Sequence, residues 1–182
     1  LVPDSIPPVT ELGSVHFVGI GGAGLSAIAR LLKQQGVDVS GSDQQESDVL
    51  SALRSEGIEC FPEHQAANVA GKDTVIVSTA VPETNPEVVA AVNAGARLWP
   101  RSAGLMAAMR DETRLSVAGT HGKTTTTSML TLALHAAGID ASFAIGADVP
   151  ALGTNARRGS VGVIAVESDE SDGAFLHYAP DL

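Results

Sequence analysis

The sequence predicts an α/β protein in which helices cover parallel sheets, arranged as two consecutive units. Three features carry that prediction. Short apolar runs alternate with helical patterns along the chain; a glycine-rich stretch, GIGGAG, follows the first of these runs; a second, GTHGKTT, follows a later one. Strand and helix alternating through connections of a few residues favour parallel pairing with right-handed crossovers.

The elements follow in order. SVHFVGI (residues 14–20) reads as a buried strand. Leu25, Ile28, Ala29 and Leu32 then recur at the i, i+3, i+4, i+7 spacing of an amphipathic helix, which Gly36 closes. VDVSGSD is a second strand and SDVLSALRSEG a second helix with its own terminal glycine, while IECF and DTVIVSTA are further strands. NPEVVAAVNAG opens with Asn85 as N-cap and Pro86 at the first helical position, the order that helix starts prefer. ARLWP and SAGLMAAMRDE complete the first series, and the polar RDETR (Arg110 to Arg114) marks the junction. The first unit is therefore expected at 1–111 and the second at 112–182. In the second, LSVAG, ASFAIG and GVIAVE are strands, and the helix KTTTTSMLTLALHAAG carries an apolar stripe of Leu130, Ala133, Leu134 and Ala137. Two or three parallel strands bury little surface, so this unit is expected to be incomplete at Leu182.

Bulk properties exclude several classes. Of the 182 residues 44% are hydrophobic and 18% charged, enough apolar surface for a core and too little charge for disorder. Eleven Lys and Arg against 21 Asp and Glu leave a net charge of −10, whereas nucleic acid and anionic membrane both require a basic footprint. Aromatics at 3% supply no base-stacking platform. Cys60 is the single cysteine, which rules out an intrachain disulfide and fits a reducing compartment. LVPDSIPPVTELG has neither the basic nor the apolar region of a signal peptide, and no stretch approaches the roughly 20 apolar residues of a membrane span. A cytoplasmic protein with no membrane partner is expected.

GIGGAG matches G-x-G-x-x-G through Gly19, Gly21 and Gly24, between a strand and a helix. Glycines there allow a tight turn and let backbone approach a diphosphate, and the helix start adds free N–H groups and about half a positive charge. Asp43 stands near the roughly 20-residue offset at which a carboxylate meets ribose hydroxyls. This is the Rossmann-like arrangement. Taken alone it is weak, because glycine turns also serve simply to pack a helix close to a strand. NAD, FAD or any nucleoside diphosphate meets its requirements.

The second loop is more specific. The longer P-loop form places a further glycine where Val117 stands, so only the shorter GTHGKTT remains. Its physical parts are intact: backbone N–H groups from Gly119 to Lys123 can surround a β-phosphate, Lys123 can reach the β and γ oxygens, and the Thr124 hydroxyl suits Mg²⁺. Thr120, His121, Gly122 and Thr125 belong to the same loop. A bare threonine run is often no more than a tolerant helix start, but the flanking strand and helix point to ATP and a P-loop-type unit. Glu167 abuts the strand GVIAV at the edge where parallel sheets bind ligands, and can share the Mg²⁺ with Thr124. Asp169, Glu170 and Asp172 fit either a metal site or a solvated loop.

Together these residues resemble the Mur ligases, from about Val15 to the C-terminus. HFVGIGGAGLSAIA, GSD, NPEV, AGTHGKTTTTSML and ESDESDGAFL look like that family's blocks in the family's order. His121 is informative: ligases adding later amino acids typically carry asparagine there, and the relative that reattaches recycled peptide lacks the GIGGAG form. The resemblance implies a three-domain ATP-dependent ligase that joins L-alanine to UDP-N-acetylmuramate through an acyl phosphate in peptidoglycan precursor synthesis. Gly21, Gly22 and Ala23 would lie at the UDP diphosphate. Asp43, His64, Ser78 and Asn85 would contact nucleoside or sugar, although His64 reads equally as an ordinary surface histidine. Lys123 and His121 would serve catalysis. RSAG departs from the family, which usually has an acidic residue near Arg101, so no role is implied there. The family's third domain and remaining metal ligands are not found before Leu182, so the chain as given is expected to bind substrate without full activity. On the residues alone, an NAD(P)-dependent oxidoreductase and a non-catalytic nucleotide-binding module stay open.

Overall fold

Five parallel strands form the first sheet: β1 (Val15–Val18), β2 (Val39–Ser42), β3 (Glu59–Phe61), β4 (Thr74–Val77) and β5 (Arg97–Pro100), in the order β3-β2-β1-β4-β5. The computed structural model describes residue 3 and residues 5–168. Strand order reverses between β1 and β4, and in such sheets the crevice at the carboxyl edge beside the reversal is where ligands bind. Strands β1 and β2 are buried along their whole length, as expected of a parallel sheet covered on both faces.

Four helices cover this sheet: α1 (Ala23–Gln34), α2 (Asp48–Ser55), α3 (Pro86–Ala94) and α4 (Arg101–Ala108). Two start on a side-chain cap. Ser47 accepts the Leu50 N–H ahead of α2, and Asn85 accepts the Glu87 N–H ahead of α3, which Gly95 closes in the left-handed region. The other two, α1 and α4, start without a side-chain cap.

The second sheet begins at β6 (Thr113–Ala118), a few residues after α4. Helix α5 (Lys123–Ala136) follows, then β7 (Ser142–Val149), β8 (Thr154–Arg157) and β9 (Val163–Ser168), in the sheet order β6-β9-β7-β8. Strands β6, β9 and β7 are parallel, but β7 and β8 form an antiparallel hairpin with an irregular register between Ala144 and Val149. The sequence reading has no strand at β8. TNAR lacks an apolar run, and its burial comes from packing against another unit.

That packing joins the two sheets. Helix α1 lies between the first sheet and the β7–β8 hairpin, so Leu25 to Leu32 are buried without interruption, including Ser26 and Arg30. The amphipathic stripe predicted for α1 is therefore only half of its contact surface. Asn155 on β8 is the polar tie: its amide donates to the Ala23 carbonyl (2.9 Å) and Ser26 Oγ (3.1 Å) and accepts from Arg30 Nη1 (2.6 Å). Ala144, Ala156, Ile164 and Val166 join Phe17 and Ile28 in one apolar core.

Helix α5 also departs from the pattern read in its sequence. Its fully buried positions are Thr127 and Thr131, while Leu130 and Leu134 are half-buried and Ala133 and Ala137 exposed. The threonine hydroxyls donate to the carbonyls of Lys123 (2.9 Å) and Thr127 (2.8 Å), one turn back. With the hydroxyls satisfied inside the helix, the threonine methyls can face the sheet.

Candidate functional site

The first loop leaves β1 at the carboxyl edge of its sheet. Gly19 turns with φ +88°, a conformation costly for any residue with a Cβ, and the N–H groups of Gly19 and Ile20 both donate to the Ser42 carbonyl at 2.9 Å. The Gly21 N–H donates to Asp43 Oδ2 at 2.8 Å, so Asp43 braces the loop. Gly22 precedes the first turn of α1, and a Cβ there would meet only the Gly19 carbonyl, at 3.5 Å. Ser78, just past β4, packs against Gly19: its Cβ is 3.0 Å from where a Gly19 side chain would stand. Gly19, Gly21, Gly22, Ala23, Gly24, Asp43 and Ser78 thus converge beside the reversal of strand order.

His64 and Asn85 stand one step back. Asn85 Oδ1 is used as the α3 cap, and its side chain is buried. His64 Nδ1 lies 2.9 Å from Ser42 Oγ and 3.1 Å from Glu87 Oε2. Glu87 is fully buried; it accepts from Ser42 Oγ (2.5 Å), Asn68 Nδ2 (2.6 Å) and the Gln65 N–H (3.3 Å). Burial alone would raise the Glu87 pKa, but hydrogen-bond donors outweigh it and hold the carboxyl at about 2. His16 Nε2 stands 3.8 Å away, beyond hydrogen-bonding range, so we assign the depression chiefly to Ser42 and Asn68. This network fixes Ser42, whose carbonyl holds the glycine loop.

The second loop leaves β6 and enters α5 through Gly122, which has φ +78° and supplies no side-chain cap. Lys123 Nζ donates to the Gly119 carbonyl at 2.9 Å, lying across its own loop. His121 is exposed, with Nδ1 3.3 Å from Thr120 Oγ1, and Thr125 is exposed on the first turn. Strand β9 pairs with β6 so that Glu167 lies opposite Val117. This register brings Glu167 to the loop: Thr124 Oγ1 donates to Glu167 Oε2 at 3.2 Å, and the Gly146 N–H donates to Oε1 at 2.9 Å. A hydroxyl and a carboxylate side by side suit Mg²⁺, which takes one or two protein oxygens and completes its shell with water and phosphate. Asp169, Glu170 and Asp172 lie outside the described residues.

The starts of α1 and α5 share one cavity of about 240 Å³, whereas Gly21 and Ala23 line a separate one of about 290 Å³ with Arg30, Asp48 and Asp148. The lining of the former includes Gly24 from the first loop, Thr124 from the second, Glu167, Gly146 and Arg101. Arg101, Gly146 and Glu87 are residues that sequence reasoning missed. Arg101 stands in RSAG, which lacks the acidic residue expected beside it, Gly146 reads only as a strand residue, and Glu87 as an ordinary first-turn acid. A carboxylate two residues after a helix cap, with a histidine and serines on neighbouring strands, gives no local sign that they meet.

Residues 14–113 match the family described as Mur ligase family, catalytic domain. The chain is 56% identical over 179 residues to the UDP-N-acetylmuramate–L-alanine ligase of a Nocardioides species, covering 98% of this chain and 40% of that protein. It is 48% identical over 170 residues to the enzyme of that name from Neisseria gonorrhoeae, covering 93% and 36%. Among solved structures, the UDP-N-acetylmuramate–alanine ligase of Thermotoga maritima superposes with a TM-score of 0.87 at 33% identity, over 92% of this chain and 40% of the other. The UDP-N-acetylmuramate:L-alanyl-γ-D-glutamyl-meso-diaminopimelate ligase from Neisseria meningitides gives 0.86 at 28%, over 93% and 58%. The chain spans about 40% of the length of the curated relatives it matches.

Proposed function

The chain belongs to the Mur ligase family, and from that premise we propose that it holds UDP-N-acetylmuramate at its first glycine loop and ATP at its second, for ATP-driven attachment of L-alanine. One observation carries the reading: Gly24 at the start of α1, Thr124 at the start of α5 and Glu167 on β9 line the same cavity. Residues 1–111 form the sugar-nucleotide unit and 112–182 belong to the ATP unit. Such precursor synthesis belongs in the cytoplasm; among the described residues, no helix is long and apolar enough to cross a membrane.

The lactyl carboxylate attacks the γ-phosphorus of ATP, releasing ADP and leaving an acyl phosphate. The alanine amine then attacks the acyl carbon; the C–O bond to phosphate breaks, phosphate leaves, the amine loses a proton and an amide remains. The first step forces like charges together: two unit charges 4 Å apart repel by about 4 kcal/mol at an effective dielectric of 20. Three parts of this chain oppose that repulsion. Lys123, whose Nζ lies against the Gly119 carbonyl of the same loop, meets the β and γ oxygens. The uncapped start of α5 directs N–H groups at the phosphates, and that of α1 does the same at the UDP diphosphate. Mg²⁺, held by Thr124 and Glu167, would neutralise charge on the phosphate oxygens. His121, exposed beside the loop, contacts the carboxylate or the γ-phosphate. Asp43 and Ser78 flank the nucleoside and diphosphate, and His64 and Asn85 support them from behind.

Calorimetric titration with UDP-N-acetylmuramate tests this reading. Binding is expected for the wild-type chain. Gly22→Asp, which sets a negative charge where the diphosphate lies, is expected to weaken it by roughly 30-fold or more. Unchanged affinity in that variant would remove the loop assignment.

A further inference from the structure

A third cavity, of about 230 Å³, lies where the two units join, and it shares no lining residue with either of the other two. The end of α4 and the segment after it contribute Ala107, Ala108 and Glu112, and the connection from β8 to β9 contributes Arg158 and Gly159. That connection is pinned along its backbone. The Arg158 N–H donates to Gln34 Oε1 at 2.7 Å, the Gly159 N–H to Ser142 Oγ at 2.9 Å and the Ser160 N–H to the Asp140 carbonyl at 3.0 Å, while the Gly162 carbonyl accepts the Thr113 N–H at 2.8 Å. A Cβ on Gly159 would stand 1.9 Å from the Asp140 carbonyl oxygen, so only glycine packs this closely. Against this fixed wall two groups of opposite charge are left over. Glu112 Oε2 is buried and has no hydrogen-bond partner. The exposed Arg158 side chain has neither hydrogen bond nor ion pair among the described residues, although its charge acts on Glu112. Burial pushes the Glu112 carboxyl above its ordinary range, and Ser142 and Arg158 offset only part of that. Arg110, the other cation of the lining, is engaged by the Ile6 carbonyl. A buried polar atom that the fold leaves without a partner marks a place for a water, an ion or a ligand.

We infer that this junction cavity binds a small zwitterionic amino acid, its carboxylate on the Arg158 guanidinium and its ammonium on the Glu112 carboxylate. The charges select the class. A plain anion would meet Glu112 and Asp111, and a plain cation would meet Arg158 and Arg110; a ligand carrying both signs a few bonds apart satisfies both sets. A guanidinium takes a carboxylate through two parallel hydrogen bonds, and Arg158 has its donors free for that. Ala107 and Ala108 give the wall an apolar part that suits a short aliphatic side chain. The inference goes beyond the function proposed above and does not depend on it, because the cavity stands apart from both glycine loops. A ligand seated there would fasten the end of α4 to the β8–β9 connection, and so hold the two units together.

Amide ¹H–¹⁵N spectra of the chain test this, titrated with L-alanine, with propionate, which lacks the ammonium, and with ethylamine, which lacks the carboxylate. L-Alanine is expected to shift the amides of Glu112, Arg158 and Gly159 saturably, with a Kd on the order of millimolar. Propionate and ethylamine are each expected to bind more weakly by roughly tenfold or more. Arg158→Gln and Glu112→Gln should each weaken L-alanine by roughly tenfold. Absence of a saturable shift overturns the inference, as does a shift confined to the two glycine loops, which would place the amino acid at the reaction site. Propionate as effective as L-alanine would leave an anion site only, and ethylamine as effective a cation site only; either result overturns it. Unchanged L-alanine affinity in either variant does the same. Should Glu112→Gln fail to fold, Arg158→Gln decides alone, since that side chain is exposed and holds no bond among the described residues. The sugar-nucleotide titration described above reads the loop assignment separately, so failure here leaves it standing.

Discussion

Replacing Glu87 by glutamine tests the buried network behind the first loop. The carboxylate accepts three hydrogen bonds and lies 3.1 Å from His64 Nδ1, and the shortest of the three, from Ser42 Oγ and Asn68 Nδ2, fall on different oxygens. An amide at that position must turn its NH₂ toward one set of donors. The Ser42 and His64 side accommodates it better, since a hydroxyl can rotate and an imidazole can change tautomer, whereas the Gln65 N–H cannot. The variant loses charge-assisted bonds while remaining packed. In the unfolded chain this carboxyl takes up its proton near 4.5, in the folded protein only near 2. Between those values the unfolded chain binds more protons, so stability rises with pH there; the contribution is complete above about 4.5 and lost as pH falls toward 2. At 1.36 kcal/mol per pH unit the gap corresponds to about 3 kcal/mol, of which neutral hydrogen bonds in the variant return about 1 kcal/mol. Urea denaturation at constant salt should therefore find Glu87→Gln less stable by about 2 kcal/mol near neutral pH. That deficit should shrink below about pH 4. A variant as stable as wild type at neutral pH, or a deficit unchanged near pH 3, would refute the assignment of the low pKa to this network.

Three further outcomes follow from the geometry. Glu167→Gln keeps the side chain's size and removes its charge, so ATP affinity in Mg²⁺ should fall by roughly tenfold, while affinity without Mg²⁺ stays within about twofold; equal losses in both titrations would deny Glu167 a metal role. Asn155→Ala removes the acceptor of Arg30 Nη1 where the two sheets meet, while the Ala23 carbonyl keeps Ser26 Oγ, and should lower unfolding stability by about 2 kcal/mol; an unchanged urea midpoint would show that the amide is not the tie. Cys60 is buried, which pushes its thiol up to about 11 from 9.0, so alkylation at mildly alkaline pH should run roughly 100-fold slower in the native protein than in urea. Equal rates would contradict that burial.

Several elements are legible in the residues because their signals are local. Asn85-Pro86 starts α3 and Gly95 stops it, since caps and turns depend on a few neighbouring residues. The alternation of apolar runs and helical patterns determines parallel sheets, and the sheets carry both glycine loops to their carboxyl edges. Thr124 and Glu167 can be paired from sequence because one follows β6 and the other stands near the carboxyl end of β9 in the same sheet. Tertiary structure decided what depends on a second partner surface. Leu25 to Leu32 are buried all round because the β7–β8 hairpin covers the face of α1 that the first sheet leaves open, through residues 125 positions apart such as Arg30 and Asn155. The same holds for Thr127 and Thr131 in the buried face of α5, for Glu87 among His16, His64 and Ser42, and for Arg101 against Gly24. Periodicity along a chain records one buried face per element. Where an element is buried twice, or a charge is held by distant donors, the determining contacts exist only once the chain has closed on itself.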